Sequence, residues 1–180
     1  MIYDKTIQSL MEKYTQDLYH YTSLKNLESI LHHNKFSLVR PRVTDEFEQQ
    51  LNNRLNNAYR DMYYFSTSRS KFSGFAACIV DGGSRVPRNK CTRAACIIHL
   101  DGIKLGQKYR IRHVEYVNTS EQEDRVMSST SDISPASRYI IDVHIQIPTG
   151  QVEERMMEMY TSIQESAEKI NVPIYWYYNQ

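Results

Sequence analysis

Apolar residues recur along this chain at two spacings, and the switches between them predict its elements. Ile7, Leu10, Met11 and Tyr14 stand at helical spacing, so a short helix is expected over residues 4–15. The run Leu18-Tyr19-His20-Tyr21-Thr22 is aromatic and β-branched and predicts a strand. Ser23 follows as a helix N-cap, with Leu24, Leu27, Ile30 and Leu31 forming one apolar stripe behind it and Asn34 as the stop. Residues 36–40 predict a short strand ended by Pro41, and residues 62–68 a buried strand. Phe72, Phe75, Ala76 and Ile79 suggest a helix packed on the sheet. Residues 94–100 form the most apolar strand, 108–117 another, and 138–147 a further one ended by Pro148. A last helix is expected over 151–170, with Val152, Met156, Met159, Ile163 and Ile170 on one face.

The intervening stretches read as connections. Residues 44–60 are polar, a loop or a weakly amphipathic helix. Residues 81–93, with Gly82, Gly83 and Pro87, are a loop. Gly102 and Gly106 punctuate a turn, and residues 118–137 are polar and loop-like. Strands and helices do not alternate strictly, which argues against a doubly wound parallel sheet. An α+β fold is expected, a mostly antiparallel split sheet with packed helices. No repeat or low-complexity tract interrupts the chain, so residues 1–180 read as a single domain. Its core spans about 18–147 and its C-terminal helix 151–170.

Composition narrows the picture. With 41% hydrophobic residues there is enough material for a core, and a net charge of +1 gives no global pull toward nucleic acid or anionic membrane. No apolar run approaches the ~20 residues of a membrane span. The opening MIYDKTIQSLMEKY is too polar for a signal peptide, so a cytoplasmic protein without membrane association is expected. Cys78, Cys91 and Cys96 are odd in number and lack metal spacing, so no disulfide is expected, and Cys96 should be an inert core thiol. His32, His33 and His144 have no partners at metal spacing. The basic loop Arg85, Arg88, Lys90 and Arg93 is either solvated or a contact for nucleic acid or an acidic partner. Fourteen tyrosines, several in the tail Tyr175-Trp176-Tyr177-Tyr178, suit wet clefts and interfaces, so the C-terminal helix and aromatic tail are a candidate surface for a protein partner.

Three segments carry candidate chemistry: His20-Tyr21-Thr22-Ser23, Phe65-Ser66-Thr67-Ser68-Arg69, and Glu121-Gln122-Glu123-Asp124-Arg125. Each alone has an ordinary reading, as a satisfied strand histidine, an edge or capping hydroxyl run, and solvated loop charges. In this order they resemble the ADP-ribosyltransferase superfamily. The opening LYHYTSLKNLESIL is similar to the first strand and helix of bacterial and phage members. The stretch EDRVMSSTSDISPASRYIIDVHI is similar to one in uncharacterised phage and virus members. The resemblance spans roughly residues 18–147. Members pair an early Arg with Ser-Thr-Ser, or an early His with Tyr. Here His20 accompanies Ser-Thr-Ser, with Tyr63 and Tyr64 just before it.

The resemblance implies an ADP-ribosyltransferase-like fold and transfer of ADP-ribose from NAD to a macromolecular acceptor, protein or nucleic acid. Breaking the ribose–nicotinamide bond builds positive charge on the sugar, which a fixed carboxylate stabilises. Glu123 takes that role. Glu121, on the same side of an extended segment, engages the nucleophile. His20 and Thr22 hold the dinucleotide, while Ser66, Thr67 and Ser68 shape the pocket. Arg69 or Arg125 pairs with pyrophosphate. Tyr21, Tyr63, Tyr64 or Phe72 stacks on nicotinamide. Two other functions remain open, a catalytically inactive binding or phage structural module on the same fold and an NAD glycohydrolase.

Overall fold

The computed structural model describes residues 17–40, 62–69, 95–115, 122–147 and 154–178. The helices expected over 4–15 and 72–79, the loop 81–93, and Cys78 and Cys91 lie outside the described residues. In chain order the elements are β1 (Leu18–Thr22), α1 (Leu24–His33), β2 (Phe36–Ser37), β3 (Tyr63–Thr67), β4 (Ala95–Leu100), α2 (Gly102–Lys108), β5 (Arg110–Glu115), β6 (Gln122–Ser128), β7 (Asp132–Ile133), β8 (Ile140–Ile147), α3 (Glu154–Lys169) and β9 (Ile174–Tyr178), with a 3-10 turn at Ala136–Arg138. No helix among them is long and apolar enough to cross a membrane.

The strands form a four-stranded sheet in the order β1-β4-β8-β9, a three-stranded sheet β3-β6-β5, and a ribbon β2-β7. Every pair is antiparallel except β8 with β9, so the fold is α+β with mixed and antiparallel sheets. The two larger sheets meet where Tyr19 and Ser68 exchange backbone bonds of 2.8 Å in each direction. That junction carries the end of β3 against β1, and it brings His20 beside Ser66.

Alternation explains the larger sheet. Val143, Ile145 and Ile147 point inward from β8 and pack with Leu18, Ile98 and Leu100, while Asp142, His144 and Gln146 face the other way. Helices α1 and α3 pack against each other and cover the inward face with Leu27, Leu31, Ile163 and Ala167. Helix α1 begins as its pattern predicts, with the Ser23 hydroxyl accepting from the Asn26 amide at 3.3 Å. It ends at Asn34 in the left-handed region, φ 50°, a conformation asparagine tolerates. The Asn34 carbonyl and side chain then accept from the Ala136 and Ser137 amides at 2.8 Å, tying the helix end to the 3-10 turn.

Three expectations change. Gly102 and Gly106 do not make a turn but lie in α2, because Asp101 caps Lys104 and starts a helix that the glycines tolerate. The aromatic tail is strand β9, with Trp176 inside against Tyr160 and donating to Gln164. The polar segment 118–137 contains β6, the central strand of the three-stranded sheet.

Candidate functional site

The site is built on β6, where charged residues are buried on both faces. Antiparallel register puts directly opposed side chains on the same face. Val114 stands opposite Glu123, and Ser66 and Arg112 flank Arg125, so these share one face. Thr67 and His113 flank Asp124 on the other face, the side of Phe65 and Val126, which belong to the main core. Glu123 is 2% exposed and Asp124 0%. Buried charges of this kind persist only when paired and hydrogen-bonded.

Each carboxylate has its own arginine. The Ser66 hydroxyl donates to Glu123 Oε1, and Arg125 Nε donates to the same oxygen at 2.9 Å. The Arg125 guanidinium also lies over the Tyr64 ring, 4.2 Å from its centroid. Arg69 grips Asp124 with both ends of its fork, Nε to Oδ2 at 2.6 Å and Nη2 to Oδ1 at 2.9 Å. His113 Nδ1 lies 3.2 Å from Asp124 Oδ1, and the Thr67 hydroxyl donates to the Asp124 carbonyl at 2.7 Å. Such two-point arginine–carboxylate pairs fix geometry as well as charge.

His20 joins the cluster from β1. Its Nδ1 lies 2.8 Å from the Ser66 carbonyl and therefore donates to it. Burial lowers the His20 pKa below the ordinary 6.5, outweighing the bond to Ser66, which favours the proton. The neutral ring then keeps Nε2 as an acceptor, suited to a hydroxyl. Phe36 and Phe65 stack on each other, and both meet the His20 ring at nearly right angles, holding it in place. His20, Ser66, Glu123 and Arg125 therefore form one continuous chain of contacts.

Not every expected residue joins it. Tyr21 is buried on the opposite face of β1 from His20, paired with Ile97. Thr22 is buried on the His20 face, against Cys96. Thr67 and Arg69 serve Asp124 rather than Glu123, and the Ser68 backbone is committed to Tyr19. Tyr63 takes a hydrogen bond of 2.8 Å from Arg40, which also lies over its ring. Glu121 and Phe72 lie outside the described residues. Cys96 is buried, and burial pushes its thiol up to about 12, an inert group. No cluster of three or more metal-ligating side chains occurs among the described residues.

No protein-family model matches this chain, and no curated protein matches its sequence. Its chemistry therefore has to be argued from the residues themselves.

Sequence reasoning passed over Asp124, treated as a solvated loop charge, and the basic residues Arg110 and Arg112. A signal that this segment is a strand was present. Glu123 and Arg125 carry opposite charges two positions apart, the spacing of neighbours on one strand face. A shallow groove lined by Tyr160, Gln164, Glu168 and Trp176 shares no residue with the Glu123 cluster.

Proposed function

We propose that this chain is an ADP-ribosyltransferase-like enzyme that moves ADP-ribose from NAD to a macromolecular acceptor. The observation that carries the reading is the buried Glu123 carboxylate, fixed by Ser66 and Arg125 beside the strand that bears His20. Pre-oriented charge of this kind needs no reorganisation when positive charge develops nearby, which is how such groups accelerate reactions. NAD, when bound, supplies a ribose carbon that becomes positive as its bond to nicotinamide breaks. Glu123 provides the opposing charge. Ser66 and Arg125 both hold its Oε1 and so fix the carboxylate in place. His20 Nε2 accepts a hydroxyl. Glu121 is assigned to the acceptor nucleophile.

The residues present suit part of the dinucleotide. They offer a carboxylate, a neutral histidine acceptor and, on the face of Glu123, the Tyr64 ring with Arg125 over one side of it. Arg69 and Arg125, first assigned to pyrophosphate, are each already paired with a carboxylate.

A second reading has its own support. Glu123 is 2% exposed and held by Ser66 and Arg125, as a carboxylate with a structural task would be. On that reading the fold is a binding module, phage structural or directed at a host protein, and the half-exposed Tyr175 and Tyr177 on β9 are its candidate contacts. One experiment separates the two. Purified protein is incubated with NAD, with and without cell lysate, and free nicotinamide is measured. Release that depends on lysate supports the transferase. Release without lysate, with no modified product, makes the protein a glycohydrolase. No release in either case leaves the binding module.

A further inference from the structure

Arg110 and Arg112 alternate along β5 and so share the face that carries Glu123 and Arg125. Arg112 stands directly opposite Arg125, and Arg110 opposite Met127, which in turn is opposite Tyr64. Three guanidinium groups thus occupy one face of a three-stranded sheet. Like charges set directly across a pair of strands destabilise it. Arg125 is relieved by Glu123. Among the described residues, Arg110 and Arg112 have no carboxylate within ion-pair distance. Partial burial of Arg112 disfavours its charge, and the neighbouring Arg110 disfavours it further. The fold therefore tolerates an electrostatic cost here that an anion would remove.

Position says what kind of anion. Among the described strands β5 is the edge of its sheet; Arg110 is exposed and Arg112 half-buried. Alternate residues on a strand stand roughly 7 Å apart, so the pair forms a short row rather than a closed pocket. The row lies on the face of Glu123 and runs along β5 away from it, from Arg112 to Arg110. A planar guanidinium fork matches phosphate oxygens, and a row of them follows a phosphate backbone. Tyr64, half-buried on the same face with the Arg125 guanidinium over one side of its ring, adds an aromatic group of the sort that bases stack on. An acidic peptide would use the charges but not the ring.

We propose that Arg110 and Arg112 seat the phosphates of a single-stranded nucleic acid, which makes nucleic acid the acceptor class presented to Glu123. The link to transfer rests on the transferase reading, whereas binding itself does not. The test measures fluorescence anisotropy of a short labelled single-stranded oligonucleotide of mixed sequence across a salt titration. The unaltered protein is compared with Arg110→Gln/Arg112→Gln and Arg110→Lys/Arg112→Lys, each first shown folded by circular dichroism. The glutamine variant should bind about tenfold more weakly, and its salt slope should fall by roughly 1.4, two phosphate contacts on a single strand. The lysine variant should keep most of the binding, because charge rather than shape is lost in the first pair. Unchanged affinity in the glutamine variant overturns the proposal. So does loss confined to a labelled acidic peptide, or a raised KM for NAD with oligonucleotide binding intact, which would give the cations to the dinucleotide. Oligonucleotide binding that needs the arginines, in a protein that never releases nicotinamide, upholds the phosphate seat and removes the transferase reading.

Discussion

The two larger sheets bury their central strands by opposite means. In the four-stranded sheet β4 and β8 close over Ile98, Val143 and Ile145, all fully buried and apolar. In the three-stranded sheet the central strand β6 is just as deeply buried, yet its leading residues are Glu123, Asp124 and Arg125. Aliphatic burial stabilises roughly in proportion to area. Buried ion pairs at best recover the desolvation they incur, and replacing them with apolar residues is often neutral or favourable. The first sheet is therefore where the fold gains its stability. The second holds charges in fixed places, and of the two carboxylates on β6 only Glu123 faces away from the main core.

The comparison breaks most sharply at Asp124. Asp124→Asn removes the partner of Arg69 on the core side and should destabilise the protein by about 3 to 5 kcal/mol, read by urea unfolding. A loss under ~1 kcal/mol would mean the pair holds nothing together. Next comes Glu123→Gln, whose effect should appear in chemistry. Nicotinamide release should fall roughly 100- to 1,000-fold. Because Arg125 also loses its counter-charge, folding must be checked alongside. Full activity in a folded Glu123→Gln protein would end the catalytic assignment. In the apolar sheet, Ile145→Val trims one methylene from a filled core and should cost about 0.5 to 1.5 kcal/mol of stability with catalysis unchanged.

The smallest signal lies in the pH dependence. Burial holds the His20 pKa below 6.5, so the folded protein binds that proton less readily than the unfolded chain. The stability tied to this group is fully present above the ordinary value of 6.5 and is lost as pH falls through the depressed folded value. His20→Asn keeps a donor for the Ser66 carbonyl and removes the titration. Unfolding series on the acid side should show a shallower decline for the variant. An identical decline would assign the acid sensitivity to other groups.

Local residue pattern, composition and capping residues determined β1, α1, β4, β8 and α3, down to the Ser23 cap and the Asn34 stop. In each, burial by aliphatic side chains and the local hydrogen bonds favour the same conformation, so the pattern in the sequence is the cause of the element. Hydropathy had no purchase on β6, because its residues are polar and become buried only when Ser66, Arg69 and His113 arrive from other strands to pair with them. The tail was legible as aromatic but not as a strand, since β9 exists by pairing with β8 and by the Trp176 contact with α3. The same holds for the candidate site. His20, Ser66 and Glu123 were visible as residue types in order. Their connection through the Ser66 carbonyl and hydroxyl, and the division of Arg69 and Arg125 between the two carboxylates, depended on sheet register, which long-range packing alone sets.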